Sequence, residues 1–283
     1  MSPKIIRPSQ LHGLLAPRKV DSHKGDYGQV LVIGGQTGMS GAALLCGRAA
    51  LFCGAGKVHI GFVDTQATLD ILHPELMCGL ASDQNFKQAC VAIGPGLGTS
   101  KAAKAFLRLA LEISETIVID ADALNLIAAH QDLMDLLTLR AAKNWRSILT
   151  PHPLEAARLL DLDVGEIQAQ REQTVKALSE KFLATVILKG HASLIANSHN
   201  VWINPSGNPA LASGGTGDVL TGVCAALLAQ GLSAADAACM ACYLHGAAAD
   251  DLVAQGLGPI GMTAGELIPA IRHKLNTLQK NLS

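Results

Sequence analysis

Short runs of consecutive apolar residues alternate along the chain with longer stretches rich in alanine and leucine. QVLVIGG from Gln29, KVHIGFV from Lys57, CVAIG from Cys90, TIVID from Thr116, SILT from Ser147 and TVILK from Thr185 end in Gly, Val, Asp, Thr or Lys. Unbroken apolar character, rather than strict alternation, predicts strands covered on both faces, as in a parallel sheet. Between them, residues Ser40–Cys53, Lys101–Ile113, Ala123–Leu139, Pro153–Leu160 and Val164–Lys181 predict helices. Strand–helix alternation of this kind predicts an α/β fold, a doubly wound and mostly parallel sheet with helices on both faces. SLIAN and NVWIN flank Ser198-His199 and predict a hairpin, hence an antiparallel edge. After Pro205 the pattern turns helical over Thr216–Gln230, Ser233–Gln255 and Thr263–Leu278. No repeat and no low-complexity linker interrupts it, so residues 1–283 are expected to form one domain.

Composition narrows the function classes. The 283 residues are 49% hydrophobic and only 3% aromatic, with 28 glycines, which predicts a core of small aliphatic side chains and closely approaching backbones. A balance of 22 basic and 23 acidic residues leaves no electrostatic footprint for nucleic acid or an anionic membrane. The cysteines (46, 53, 78, 90, 224, 239 and 242) are odd in number and scattered through apolar contexts. The closest pair, Cys239-Met-Ala-Cys242, falls in an apparent helix, and buried free thiols in a reducing compartment are the expectation. The N-terminus lacks the apolar core of a secretory signal, and no run of about 18 uninterrupted apolar residues offers a membrane span. A cytoplasmic protein is expected.

The stretch NPALASGGTGDVLTGV, from Asn208, concentrates the candidate chemistry. Gly214, Gly215 and Gly217 are expected to adopt positive φ and to bring amides close to a ligand. The apolar helix that follows presents its unpaired first-turn amides and dipole at those glycines, where a phosphate fits. Gly214, Gly215, Thr216 and Gly217 are thus a candidate anion hole. Asp218 has two readings: a first-turn acid favourable to the helix, or a base that takes a proton from an attacking hydroxyl. As a base it must be unprotonated near neutral pH, a condition that a helix N-terminus is expected to meet. The first leaves the crowded glycines unexplained.

Other motifs sit at the carboxyl ends of predicted strands, where open α/β sheets bind ligands. GPGLGT after CVAIG and Ser40-Gly41-Ala42-Ala43 after Gly34-Gly35 allow either close ligand approach or tight packing. In TPHPLE the prolines fix a strand-to-helix junction and aim His152 outward. Glu155 is either a first-turn acid or a carboxylate for Mg2+ near phosphates. Lys189, at the end of TVILK, is a point charge suited to a nucleotide phosphate. In DADALN a helix cap explains Asp122 but not Asp120. No Walker A pattern occurs. The GxGxxG match at Gly256–Gly261 follows a helix and contains a proline, so a dinucleotide fingerprint is rejected there.

Taken in order, KGDYGQVLVIGG (Lys24–Gly35), GPGLGT, DADALN, TPHPLE, VILKGHASLI and NPALASGGTGDVLTG resemble the ADP-dependent NAD(P)H-hydrate dehydratases, repair enzymes of the ribokinase-like superfamily. The resemblance spans roughly Lys24 to Leu244. It implies that hydrated NADH and NADPH (the S-epimers of NADHX and NADPHX) are dehydrated with ADP as phosphoryl donor and Mg2+, leaving AMP. It also implies that Ala42, Gly98, His152 and Asp218 meet the hydrated dinucleotide. Lys189, Gly190, His191, Ala192, Ser193 and Gly217 would meet the adenine nucleotide, and relatives form homotetramers. Two departures stand out. Leu154 replaces the glycine that usually precedes the glutamate of the proline motif, which puts the local turn in doubt. Many bacterial relatives carry an epimerase domain ahead of the first motif; here the epimerase is expected on a separate protein. The rivals are a small-molecule kinase of the same superfamily, a non-catalytic adenine-nucleotide sensor and, weakest, a dinucleotide-dependent dehydrogenase.

Overall fold

A computed structural model describes residues 2–64 and 69–280. The elements run β1 (Lys4–Ile5), α1 (Pro8–Leu11), β2 (Gln29–Gly34), α2 (Ser40–Phe52), β3 (Lys57–Phe62), β4 (Met77–Leu80), β5 (Cys90–Ile93) and α3 (Lys101–Ile113). Then come β6 (Thr116–Ile119), α4 (Ala121–Ala129), α5 (Gln131–Ala142), β7 (Arg146–Leu149), α6 (Pro153–Leu160), α7 (Val164–Ala169) and α8 (Arg171–Phe182). The chain ends through β8 (Thr185–Leu188), β9 (Leu194–Ala196), β10 (Val201–Ile203), α9 (Thr216–Ala229), α10 (Ala234–Ala254) and α11 (Ala264–Lys280).

One ten-stranded sheet runs in the order β1-β10-β9-β8-β7-β6-β5-β2-β3-β4. Only β9 runs against its neighbours, β8 and β10. The predicted hairpin therefore lies near one edge, with the two-residue β1 added parallel to β10 beyond it. The pleat sends alternate residues to opposite faces. Val30 and Val32 pack under α2, α9, α10 and α11, whereas Leu31 and Ile33 pack under α3 to α8. Burial on both faces is what the unbroken apolar runs encode.

Small residues let the helices approach. At Gly222 a Cβ would lie 2.1 Å from the Cys46 carbonyl oxygen, so the α2–α9 contact excludes any side chain there. The cysteines are all free, and all but Cys78 are buried.

Three features differ from the sequence expectation. The helix predicted over Ala123–Leu139 is two, α4 and α5, because His130 takes extended backbone angles (φ −138°, ψ 108°). Val164–Lys181 likewise divides at Gln170 (φ −129°, ψ 45°). Neither break involves Gly or Pro, and the apolar stripe continues across both, so periodicity alone runs through them. Strand β4 was not predicted: MCGL is short, half-exposed and lies on the sheet edge, where no continuous apolar run is required.

The strand order reverses between β2 and β5. The loops there are knitted together, with Gly35 N–H donating to the Pro95 carbonyl (3.0 Å) and Gln36 N–H to that of Gly96 (2.7 Å). Such a reversal opens a crevice beyond the carboxyl ends of the strands.

Candidate active site

Helix α9 begins at Gly215, which takes the left-handed conformation (φ 88°). The expected positive φ holds for Gly215 but not for Gly214 or Gly217. Those two serve through missing bulk: a Cβ on Gly214 would meet nothing within 4 Å, and one on Gly217 would point at Lys189 Nζ, 3.6 Å away. The hydroxyl of Thr216 donates to the carbonyls of Leu211 (2.8 Å) and Ser213 (2.9 Å), which pins the turn. The Thr216 N–H donates to the Ser213 carbonyl at 3.4 Å, and the Gly217 and Asp218 amides, with no acceptors inside the helix, suit an anion.

Asp218, on the first turn of α9, is partly buried, and among the described residues its carboxylate has no hydrogen-bonding partner. Burial, then the negative charge of Asp120, push its pKa up to about 7, against the pull of Lys189. The helix start was expected to keep this acid ionised at neutral pH. Desolvation and a like charge outweigh the dipole, and the group is poised near neutrality.

Asp120 is the centre of the cluster and 1% exposed. One oxygen accepts from Lys189 Nζ (2.7 Å) and the other from the Thr221 hydroxyl (2.8 Å), one turn along α9 from Asp218. Glu155 lies 3.8 Å from the same ammonium. Burial alone would lower the Lys189 pKa, but Asp120, Glu155 and Asp218 raise it, so the side chain stays charged. Asp120 also sits at the N-cap of α4 without capping through its side chain. Asp122, expected as that cap, instead accepts the Gly98 N–H at 2.8 Å and so holds the GPGLGT loop to the site.

His152 and Glu155 form a capping box at the start of α6. His152 Nδ1 accepts the Leu154 and Glu155 amides (3.1 and 3.2 Å), and a Glu155 oxygen accepts the His152 N–H at 2.7 Å. Burial and nearby Lys189 lower the His152 pKa, consistent with an unprotonated Nδ1. Glu155 is buried, and burial, partly opposed by Lys189, raises its pKa to about 7. Its Oε2 makes both the cap bond and the 3.8 Å contact with Lys189, while Oε1 lies 3.3 Å from His152 Nε2. Leu154 points to solvent and the helical turn forms around it, so the departure from glycine leaves the junction intact.

Beside the α9 start lies a cavity of about 530 Å3, of a size suited to a nucleotide. Lys189, Gly190, His191, Ala192, Ser193 and Gly217 all border it. Ala42 and Gly98 lie instead at the β2/β5 crevice: a Cβ on Gly96 would come within 3.3 Å of the Ala42 Cβ, and Asp122 holds the Gly98 amide. Gly98 and His152 each stand one residue contact from the Asp120–Lys189–Asp218 cluster. Sequence reasoning missed Asn204, Asn208 and His245 on the cavity wall. Burial lowers the His245 pKa to about 4, and its neutral ring pairs through Nε2 with the Thr216 carbonyl at 2.9 Å. A single histidine within ACMACYLHGAAADD gives no sign of this.

A mostly parallel sheet with a lone acid at a helix start, beside a nucleotide-sized cleft, defines a ribokinase-like enzyme. Residues 30–273 match the NAD(P)H-hydrate dehydratase family, and the chain belongs to that family. It is 42% identical to the ADP-dependent (S)-NAD(P)H-hydrate dehydratase of Neisseria meningitidis serogroup B, covering 94% of this chain and 90% of that one. The bifunctional NAD(P)H-hydrate repair enzyme of Escherichia coli K12 is 39% identical over 94% of this chain, which spans only 51% of it. Among solved structures, the ADP/ATP-dependent NAD(P)H-hydrate dehydratase of Bacillus subtilis, co-crystallized with ATP and Mg2+, superposes with a TM-score of 0.82. The two are 28% identical, over 99% of this chain and 100% of that one.

Proposed function

We propose that this NAD(P)H-hydrate dehydratase works by phosphoryl transfer from ADP to the ring hydroxyl of the S-hydrate, followed by elimination. Asp218 accepts the hydroxyl proton while the ring oxygen attacks the terminal phosphorus of ADP. The bond from that phosphorus to the bridging oxygen breaks, AMP departs, and the α9 amides and Lys189 hold the moving charge. Phosphate is a far better leaving group than hydroxide. Its departure with the C–O electron pair, and loss of a proton from the adjacent carbon, restore the ring double bond. The net products are NAD(P)H, AMP and phosphate.

The observation that carries this reading is the unpaired Asp218 carboxylate at the amide-rich start of α9, within the electrostatic reach of Lys189. A base with a pKa of about 7 suits proton transfer near neutral pH. Among the described residues no group of three or more His, Cys, Asp or Glu could hold a metal ion. In this reading Mg2+ arrives on the nucleotide's phosphates, where it would neutralise charge. On the same reading Ala42, Gly98 and His152 meet the hydrated dinucleotide, and the 189–193 loop meets ADP.

Incubation with hydrated NADH, Mg2+ and either ADP or ATP, followed at the reduced-nicotinamide absorbance, is the test. Recovery with release of AMP and phosphate is expected; no recovery with any donor rejects the assignment. A stable phosphate ester as product would point to the superfamily kinase instead. The same reading includes a homotetramer, checked by light scattering, and action beside a separate epimerase in the cytoplasm. Among the described residues no helix is long and apolar enough to cross a membrane.

A further inference from the structure

Asp120 touches both halves of the site. Its Oδ1 accepts from Lys189 Nζ at 2.7 Å, and its Oδ2 accepts from the Thr221 hydroxyl at 2.8 Å. Lys189 follows β8 and borders the nucleotide cavity, whereas Thr221 lies one helical turn beyond Asp218. The carboxylate is 1% exposed, so water cannot substitute for either contact. Lys189 Nζ is thereby held beside Gly217, where a Cβ would lie 3.6 Å from it. A helix cap does not require this arrangement, since Asp120 makes no side-chain cap bond to α4.

We propose that Asp120 is a positioning residue whose two oxygens fix the phosphate-facing ammonium of Lys189 and the Asp218 end of α9 at one separation. This rests on the phosphoryl-transfer reading. A lysine on a flexible four-carbon stem, and a helix able to slide along the sheet, would otherwise set donor and base independently. In-line transfer tolerates little error in that distance. Asp120 acts electrostatically as well. The charged groups around Asp218 are Asp120 and Asp122 at the start of α4 and Lys189 after β8, with the Cys46 thiol of α2 nearby. Glu155 and His152 of α6 act on Lys189 or are acted on by it, and His245 of α10 is neutral. Removing the Asp120 charge leaves Lys189 as the largest charge influence on Asp218, which favours its ionised form.

The test uses Asp120→Asn, which keeps shape and loses charge, and Thr221→Val, which keeps charge and loses one anchor. For D120N the acid limb of the kcat/KM–pH profile should move down by about one pH unit or more. The Asp218 carboxyl titration, followed by carbon NMR against Asp218→Asn, should move with it. For T221V the acid limb should stay in place while KM for ADP rises about tenfold, as expected when one buried contact orienting a charge is lost. An unmoved limb and titration in D120N, or an unchanged KM for ADP in T221V, each overturns the proposal. Wild-type turnover is measured first. Its absence would reject the dehydratase reading, while the Asp218 titration and calorimetric ADP binding of the variants would still decide the role of Asp120.

Discussion

Replacing Asp218 by asparagine separates the two consequences of placing an acid at the start of α9. The substitution preserves shape and removes both the proton acceptor and the buried charge. Loss of a general base lowers turnover by roughly 10^2 to 10^4-fold. The effect on stability has the opposite sign. In the unfolded chain the group ionises near 3.8, and in the fold near 7. Between those values the folded state holds a proton that the unfolded state has released, so stability falls as pH rises and levels off above about 7. At about 1.4 kcal/mol per pH unit the gap sets a ceiling near 4 kcal/mol. Sharing of charge with Lys189 and access of water reduce this to roughly 1–2 kcal/mol, or about 2–3 °C in Tm for a chain of this size. Thermal unfolding of both proteins between pH 4 and 8 is the assay, paired with hydrate turnover. The variant should melt higher at pH 8, with the difference vanishing near pH 4. Near-normal turnover in a folded variant would remove the proposed base, and parallel Tm–pH curves would refute its burial beside Asp120.

The remaining predictions concern the cavity wall and the core. The Arg171 guanidinium donates to the carbonyls of Leu188, Lys189 and His191, around a loop in which Gly190 and Ala192 have positive φ. Arg171→Ala should raise KM for ADP about tenfold with a smaller change in kcat, as the loop loses the bonds that hold it; steady-state kinetics in ADP decides it. Gly217→Val fills the space facing Lys189 Nζ, so calorimetry should show ADP binding lost while circular dichroism stays unchanged. Arg140, 1% exposed, donates to Ser147 Oγ and to the carbonyls of Leu111 and Ser114. Arg140→Met leaves these acceptors unpaired at a cost on the order of 3 kcal/mol, read as a lowered urea midpoint with hydrate KM unchanged.

Much of this molecule follows from local pattern. Buried parallel strands need unbroken apolar runs, so β2, β3, β5, β6, β7 and β8 were legible where they occur. The start of α9 was legible because glycines crowded before an acid have few other uses. His130 and Gln170, where predicted helices divide, were not, because both leave helical angles without being Gly or Pro, so no breaker residue marks the division. The ionisation of Asp218 was misread for a related reason. A helix dipole can be anticipated from neighbouring residues, whereas burial and the approach of Asp120, 98 positions earlier, cannot.

The sequence by itself determined the alternation of strands and helices, the glycine-rich turn at the start of α9 and the identity of the acid beside it. These are properties of residues within a few positions of one another. Only the tertiary structure decided that Asp120 joins Lys189 to Thr221, that Asp122 serves Gly98 rather than its own helix, and that His245 pairs with Thr216. Those contacts join separate strand ends and helices, and their energies depend on distance and desolvation, which exist only once the chain has folded.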